Sequence, residues 1–92
     1  MKRKDVYKLI DGEREYQNNK WDGQRAAAGE PLRRDYGVVE AWILWMEEWL
    51  HYARSAAANN IDKTRALEMI RKTTALGVAC MEYHETPPRR EH

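Results

Sequence analysis

The sequence predicts an all-α chain, a small bundle of about three helices completed by oligomerisation. Three observations carry this reading. Apolar residues recur at helical spacing in three separate segments. No segment alternates cleanly enough to be a strand, and the β-branched residues are scattered. The apolar sector of the middle segment is also broader than two short helices can cover. Ninety-two residues support a single hydrophobic core and not a generous one. Residues 1–88 are therefore read as one helical domain, and residues 89–92 (RREH) as a disordered tail.

The first helix is expected over residues 5–21, with Asp5 as its N-cap and Gly12 as a tolerated weak point. Val6, Leu9 and Ile10 begin an apolar stripe. Continued at helical spacing, the stripe runs into Glu13, Gln17 and Lys20 before an aromatic returns at Trp21. A carboxylate near a core is costly unless paired, hydrogen-bonded or metal-bound. Two readings fit this line. It is either a ligand-facing wall or the end of a helix that projects beyond the bundle. Residues 22–37 hold three Gly and one Pro and are expected to be a long loop, a length often associated with function.

The second helix is expected over residues 38–58, closing at Asn59 and Asn60. Trp42, Trp45, Trp49, Ala53 and Ala56 centre one side of it, widened by Val39, Met46, Leu50 and Ala57. Three Trp on one helix each bury about 150–250 Å² when covered. This breadth is the reason to expect a second copy of the chain, as a homodimer or higher assembly. Glu40, Glu47, His51 and Arg54 gather on the opposite side.

Asp62 is expected to cap the third helix, which stops before Pro87 and Pro88. Ala66, Ile70, Thr73, Thr74, Gly77, Cys80 and Met81 share its expected core face, whose small residues permit close helix approach. Glu68, Arg71, Lys72 and Glu82 read as a solvated surface with local ion pairs.

Sixteen Lys and Arg stand against fifteen Asp and Glu, a balance that argues against nucleic-acid binding as the main task. Cys80 is the sole cysteine, so no internal disulfide can form, and it reads as a small core residue. No run approaches the ~20 apolar residues of a membrane span. The chain is therefore expected in the cytoplasm and away from membranes.

Candidate chemistry rests on carboxylates. Glu40 and Glu47 lie two turns apart on one helix face, with Glu48 and His51 nearby. Carboxylates gathered between helices are how bundles bind Mg²⁺, a cation that takes oxygen ligands. Glu48-x-x-His51 has the spacing used in di-iron bundles, which need two such motifs and two further Glu. An i,i+4 pair of Glu47 with His51 on a solvated face accounts for the same residues without a metal. No phosphate loop, zinc signature or nucleophile elbow is present.

Three segments, EREYQNNKW, VVEAWILWMEEWLHYAR and IRKTTALGVACMEYH, together resemble the small phage-type members of the MazG-like all-α nucleotide pyrophosphohydrolase superfamily. The resemblance covers roughly residues 13–88, the loop excepted. It implies dimers or tetramers, Mg²⁺ bound by acidic residues, and cleavage of a nucleoside triphosphate to monophosphate and pyrophosphate. Carried onto this sequence, it makes Glu13 and Glu47 catalytic, with Glu40, Glu47 and Glu48 as metal ligands. Gln17, Lys20, Trp21 and Arg54 would bind substrate, Trp21 by stacking on a base, and Arg33 and Arg34 would also neutralise phosphate charge. The active enzymes carry Glu-x-x-Glu on one helix and Glu-x-x-Asp on the next. Here Glu40 is followed at that spacing by Ile43, Glu47 by Leu50 and Glu68 by Arg71. Glu82-x-x-Glu85 has the spacing but lies at a helix end. The alternative is a non-catalytic helical adaptor or phage accessory protein that acts through protein contacts.

Overall fold

The computed structural model describes residues 1–27, 38–58 and 63–90. Three helices make up most of them: α1 (Arg3–Ala27), α2 (Val39–Ala58) and α3 (Lys63–His84), with no strand among the described residues. None of these helices is long and apolar enough to cross a membrane. The expected caps at Asn59, Asn60 and Asp62, together with Arg33, Arg34 and residues 91–92, lie outside the described residues.

The ends of α1 differ from expectation at both sides. The amides of Asp5 and Val6 donate to the Lys2 carbonyl at 3.0 and 3.2 Å, so the helix starts before Asp5. Asp5 sits instead in the first turn, where a carboxylate is favoured by the helix dipole. At the other end α1 continues past Trp21 to Ala27, through residues read as loop. The physical reason is compositional. A single Gly23 costs about 1 kcal/mol of helix propensity, and the Gln, Arg and Ala that follow are good helix formers. α3 ends at His84, and Glu85 takes a left-handed backbone at φ 54°, a common way to close a helix ahead of proline.

α3 is the central element, and α1 and α2 each pack against it. Towards α2 it presents small residues, as the sequence suggested. A Cβ added at Gly77 would lie 3.2 Å from Met46 Cε, so the two helices meet closely there. The core joins Trp21, Trp42, Leu76 and Ala79, with Trp45, Met46, Trp49, Cys80 and Tyr83 packed around them. Trp21 of α1 reaches Trp42 at 6.0 Å edge-on and Trp45 at 5.5 Å between ring centroids, while Tyr83 stacks on Trp42 at 5.8 Å. Such pairs each add about 0.5–1.5 kcal/mol beyond area burial. The tryptophan side of α2 is therefore covered within one chain by Trp21, Leu76 and Tyr83. What stays open on α2 is its flank, with Val39, Ile43 and Leu50 each close to half exposed.

Two faces of α3 also differ from the sequence reading. Its buried residues are Ala66, Thr73, Ala75, Leu76 and Ala79, whereas Ile70, Thr74 and Met81 are exposed. The side carrying Arg71 and Glu82 is not a solvated surface with local pairs but the seat of α1. Ala75 and Ala79 share that stripe at helical spacing and are fully buried, which lets α1 come close.

Candidate functional site

The stripe of α1 is inverted relative to its hydrophobicity. Val6 and Leu9 are exposed at 39% and 46%, while Glu13, Arg14 and Gln17 are buried. The polar residues are buried because α3 supplies their partners. Arg71 Nε donates to Glu13 Oε1 at 2.8 Å. Arg14 donates in fork geometry to Glu82, from Nε to Oε1 at 3.0 Å and from Nη2 to Oε2 at 2.8 Å. Charge-assisted, two-pronged pairing of this kind is the strong form of the hydrogen bond. Gln17 adds longer contacts, accepting from Arg14 Nη1 and donating to the Lys72 carbonyl, both at 3.4 Å. Burial alone would lower the Arg14 pKa, but its hydrogen bond to Glu82 and the Glu82 charge outweigh this and hold it above the usual arginine value.

Glu13, Gln17, Lys20 and Trp21 do share one cleft. Its other walls are Lys72 and Leu76 of α3 and Trp45 and Trp49 of α2. The Lys72 ammonium stands 5.2 Å from the Trp49 ring centroid, and the Arg14 guanidinium 5.8 Å from that of Trp21. Both distances fall within cation–π range. The cleft holds about 90 Å³, well below the roughly 300–1,000 Å³ of small-molecule pockets. Its carboxylate is already committed to Arg71, and Trp21 is buried among Trp42, Trp45 and the Arg14 guanidinium. Chemically the cleft is a small, mainly apolar notch between three helices, with Glu13, Gln17, Lys20 and Lys72 as the polar groups of its wall, roomy enough for a few waters.

The remaining predicted residues lie elsewhere. Glu40, Glu47 and Arg54 fall at heptad spacing along the exposed side of α2, with Glu48 and His51 also exposed. Among the described residues no three His, Cys, Asp or Glu are grouped so as to hold a metal ion. The donor set for Mg²⁺, Glu40, Glu47 and Glu48, is thus spread along one solvent-facing helix, with Glu13 paired on another. Within one chain these residues do not fit a cation centre. Cys80 is half-buried against the core, and that burial pushes its thiol pKa up, the opposite of what a nucleophile needs.

A second, larger concavity of about 510 Å³ lies between the first half of α1 and the outer side of α3. Val6, Leu9 and Ile10 form one wall and Leu67, Ile70 and Val78 the other, and its lining is mostly apolar. Sequence reasoning missed this groove and the Arg14, Arg71 and Glu82 partners. The available signal was Arg71 and Glu82 flanking Ala75 and Ala79 on one stripe, small residues between charges. Compared with known proteins, the chain matches no family model, no curated protein and no solved structure.

Proposed function

We propose that the chain works as a helical interaction protein, an adaptor or assembly subunit, through the apolar face shared by α1 and α3. The observation that carries this reading is the open groove walled by Val6, Leu9, Leu67 and Ile70. Four apolar side chains at 39–54% exposure on adjoining helices are an unpartnered core rather than scattered surface residues. The polar stripe of α1 supports it too, because Glu13, Arg14 and Gln17 serve to lock α1 onto α3 and so hold the groove open. Homo-oligomerisation belongs to the same reading. Site-specific photo-crosslinking tests it. A benzoylphenylalanine placed at Leu67 should give discrete protein adducts in cells expressing the chain, and one placed at Glu47 should give none. A Leu67 probe without adducts would sink the proposal.

A second reading is the Mg²⁺-dependent nucleoside triphosphate pyrophosphohydrolase that the family resemblance implies. One observation favours it: Glu13, Gln17, Lys20 and Trp21 line a common cleft with Lys72. Its test is pyrophosphate release from a panel of nucleoside triphosphates with Mg²⁺ added. Glu47→Gln is the clean variant, since Glu47 is exposed, whereas Glu13→Gln would also neutralise the ion pair with Arg71. The reading requires turnover in the unaltered chain and its loss in Glu47→Gln. No pyrophosphate release would end it.

A further inference from the structure

The outer side of α3 has an internal symmetry that the first reading does not use. Leu67, Ile70, Thr74, Val78 and Met81 follow one another at intervals that read the same from either end, centred on Thr74. At about 100° per residue they form one stripe. All but Val78 are exposed, with Leu67 at 54%, Ile70 at 46% and Met81 at 48%, and Val78 is half-buried in the adjoining groove. We propose that this stripe pairs with the same stripe of a second copy, antiparallel, across a two-fold axis passing at Thr74.

A two-fold contact is isologous, so each residue must suit its mirror position on the same surface. Antiparallel pairing about Thr74 sets Leu67 against Met81 and Ile70 against Val78. Both pairs are apolar with apolar. Thr74 meets itself at the axis, and its hydroxyl already donates to the Ile70 carbonyl at 2.7 Å. Its methyl can therefore face the seam with no hydrogen-bonding group stranded. Val6 and Leu9 of α1 border the stripe and widen the apolar contact.

The exposed area is sufficient for such an occupant. The chain exposes 7496 Å², whereas a compact protein of its mass exposes about 5,600 Å². A standard interface takes about 800 Å² from each partner. Less than half of the difference would supply one side of such a dimer.

This proposal rests on the interaction-face reading, and sedimentation equilibrium tests the two apart. The full chain should sediment at twice its 10.9 kDa mass. Thr74→Arg brings two like charges together at the axis and should weaken the dimer by about a hundredfold or more. Because Thr74 is exposed in the single chain, helicity and tryptophan fluorescence should stay unchanged. In a Cys80→Ala background, Thr74→Cys should form an interchain disulfide under mild oxidation, while Leu44→Cys on α2 should not. A dimer that survives Thr74→Arg, or that fails to cross-link through Thr74→Cys, uses another face and overturns the proposal. A chain of monomer mass overturns it as well. If that monomer still gives Leu67 photo-adducts with other proteins, the interaction-face reading stands without self-pairing; if it gives none, both fall.

Discussion

Arg14 shows most directly how this chain uses charge. Its guanidinium is buried at 4% residue exposure, yet its partner Glu82 is about half exposed. The pair is therefore asymmetric. Removing the carboxylate strands a charge in the core, while removing the arginine leaves a carboxylate that water can reach. Glu82→Ala should cost about 1.5 kcal/mol, the lower end for a charged hydrogen bond because water reaches Glu82. Arg14→Met should cost less, since a buried ion pair replaced by an apolar side chain is often near neutral. Urea unfolding of both variants checks the order, and a larger loss for Arg14→Met would contradict the asymmetry. Glu13 and Arg71 repeat the pattern with the roles of sign exchanged, the buried member being the acid.

At the scale of the helix, α1 and α3 are held by different means from α2 and α3. The first contact is polar at its centre, with Ala75 and Ala79 bringing the backbones close. The second is aromatic, with Gly77 admitting Met46. Two glycines separate propensity from packing. Gly12 lies in the interior of α1 with nothing near the position of a Cβ. Gly12→Ala should therefore stabilise the chain by about 0.8–1 kcal/mol, the full difference in helix propensity. At Gly77 the added methyl would press on the flexible tip of Met46, so Gly77→Ala should gain less than Gly12→Ala. Thermal unfolding followed by circular dichroism ranks the two. An equal gain would mean that the α2–α3 contact is looser than its 3.2 Å approach indicates.

Across the whole molecule, the Trp cluster is where all three helices meet. Trp42 is 1% exposed and touches Trp21 from α1, Trp45 from α2 and Tyr83 from α3. No other side chain of its size is as fully buried. Trp42→Ala should cost about 3–5 kcal/mol, much of the ~5–15 kcal/mol that keeps an ordinary domain folded. The expected readout is a large fall in the urea midpoint, or a chain already unfolded at room temperature. A variant that kept its midpoint would place the stabilising core elsewhere. The molecule spans 43 × 42 × 26 Å with a radius of gyration of 15.1 Å, against about 12 Å for a compact domain of this length. That breadth fits a layer of helices closed around the Trp cluster and open along the groove between α1 and α3.

The amino-acid sequence by itself determined the helices, their number and the limits of α2 and α3, but neither end of α1. Periodicity and propensity act between residues three or four apart, so they can be read along the chain. The tryptophan side of α2 was legible for the same reason, and so was the close approach at Gly77. That α1 would bury its polar residues, and α3 a second side against them, was not legible. Glu13 is buried because Arg71, 58 residues away, neutralises it, and Arg14 because Glu82, 68 residues away, does the same. A charge reads as surface until its partner is known, and an apolar stripe such as Val6 and Leu9 reads as core until its cover proves absent. The gathering of Glu13, Gln17, Lys20 and Trp21 in one cleft could be anticipated from their common line on a helix. Its small volume, and the commitment of Glu13 to Arg71, could not, because both depend on how three helices close around Trp21. Local spacing decides secondary structure, whereas burial is decided by contacts between residues that the sequence keeps far apart.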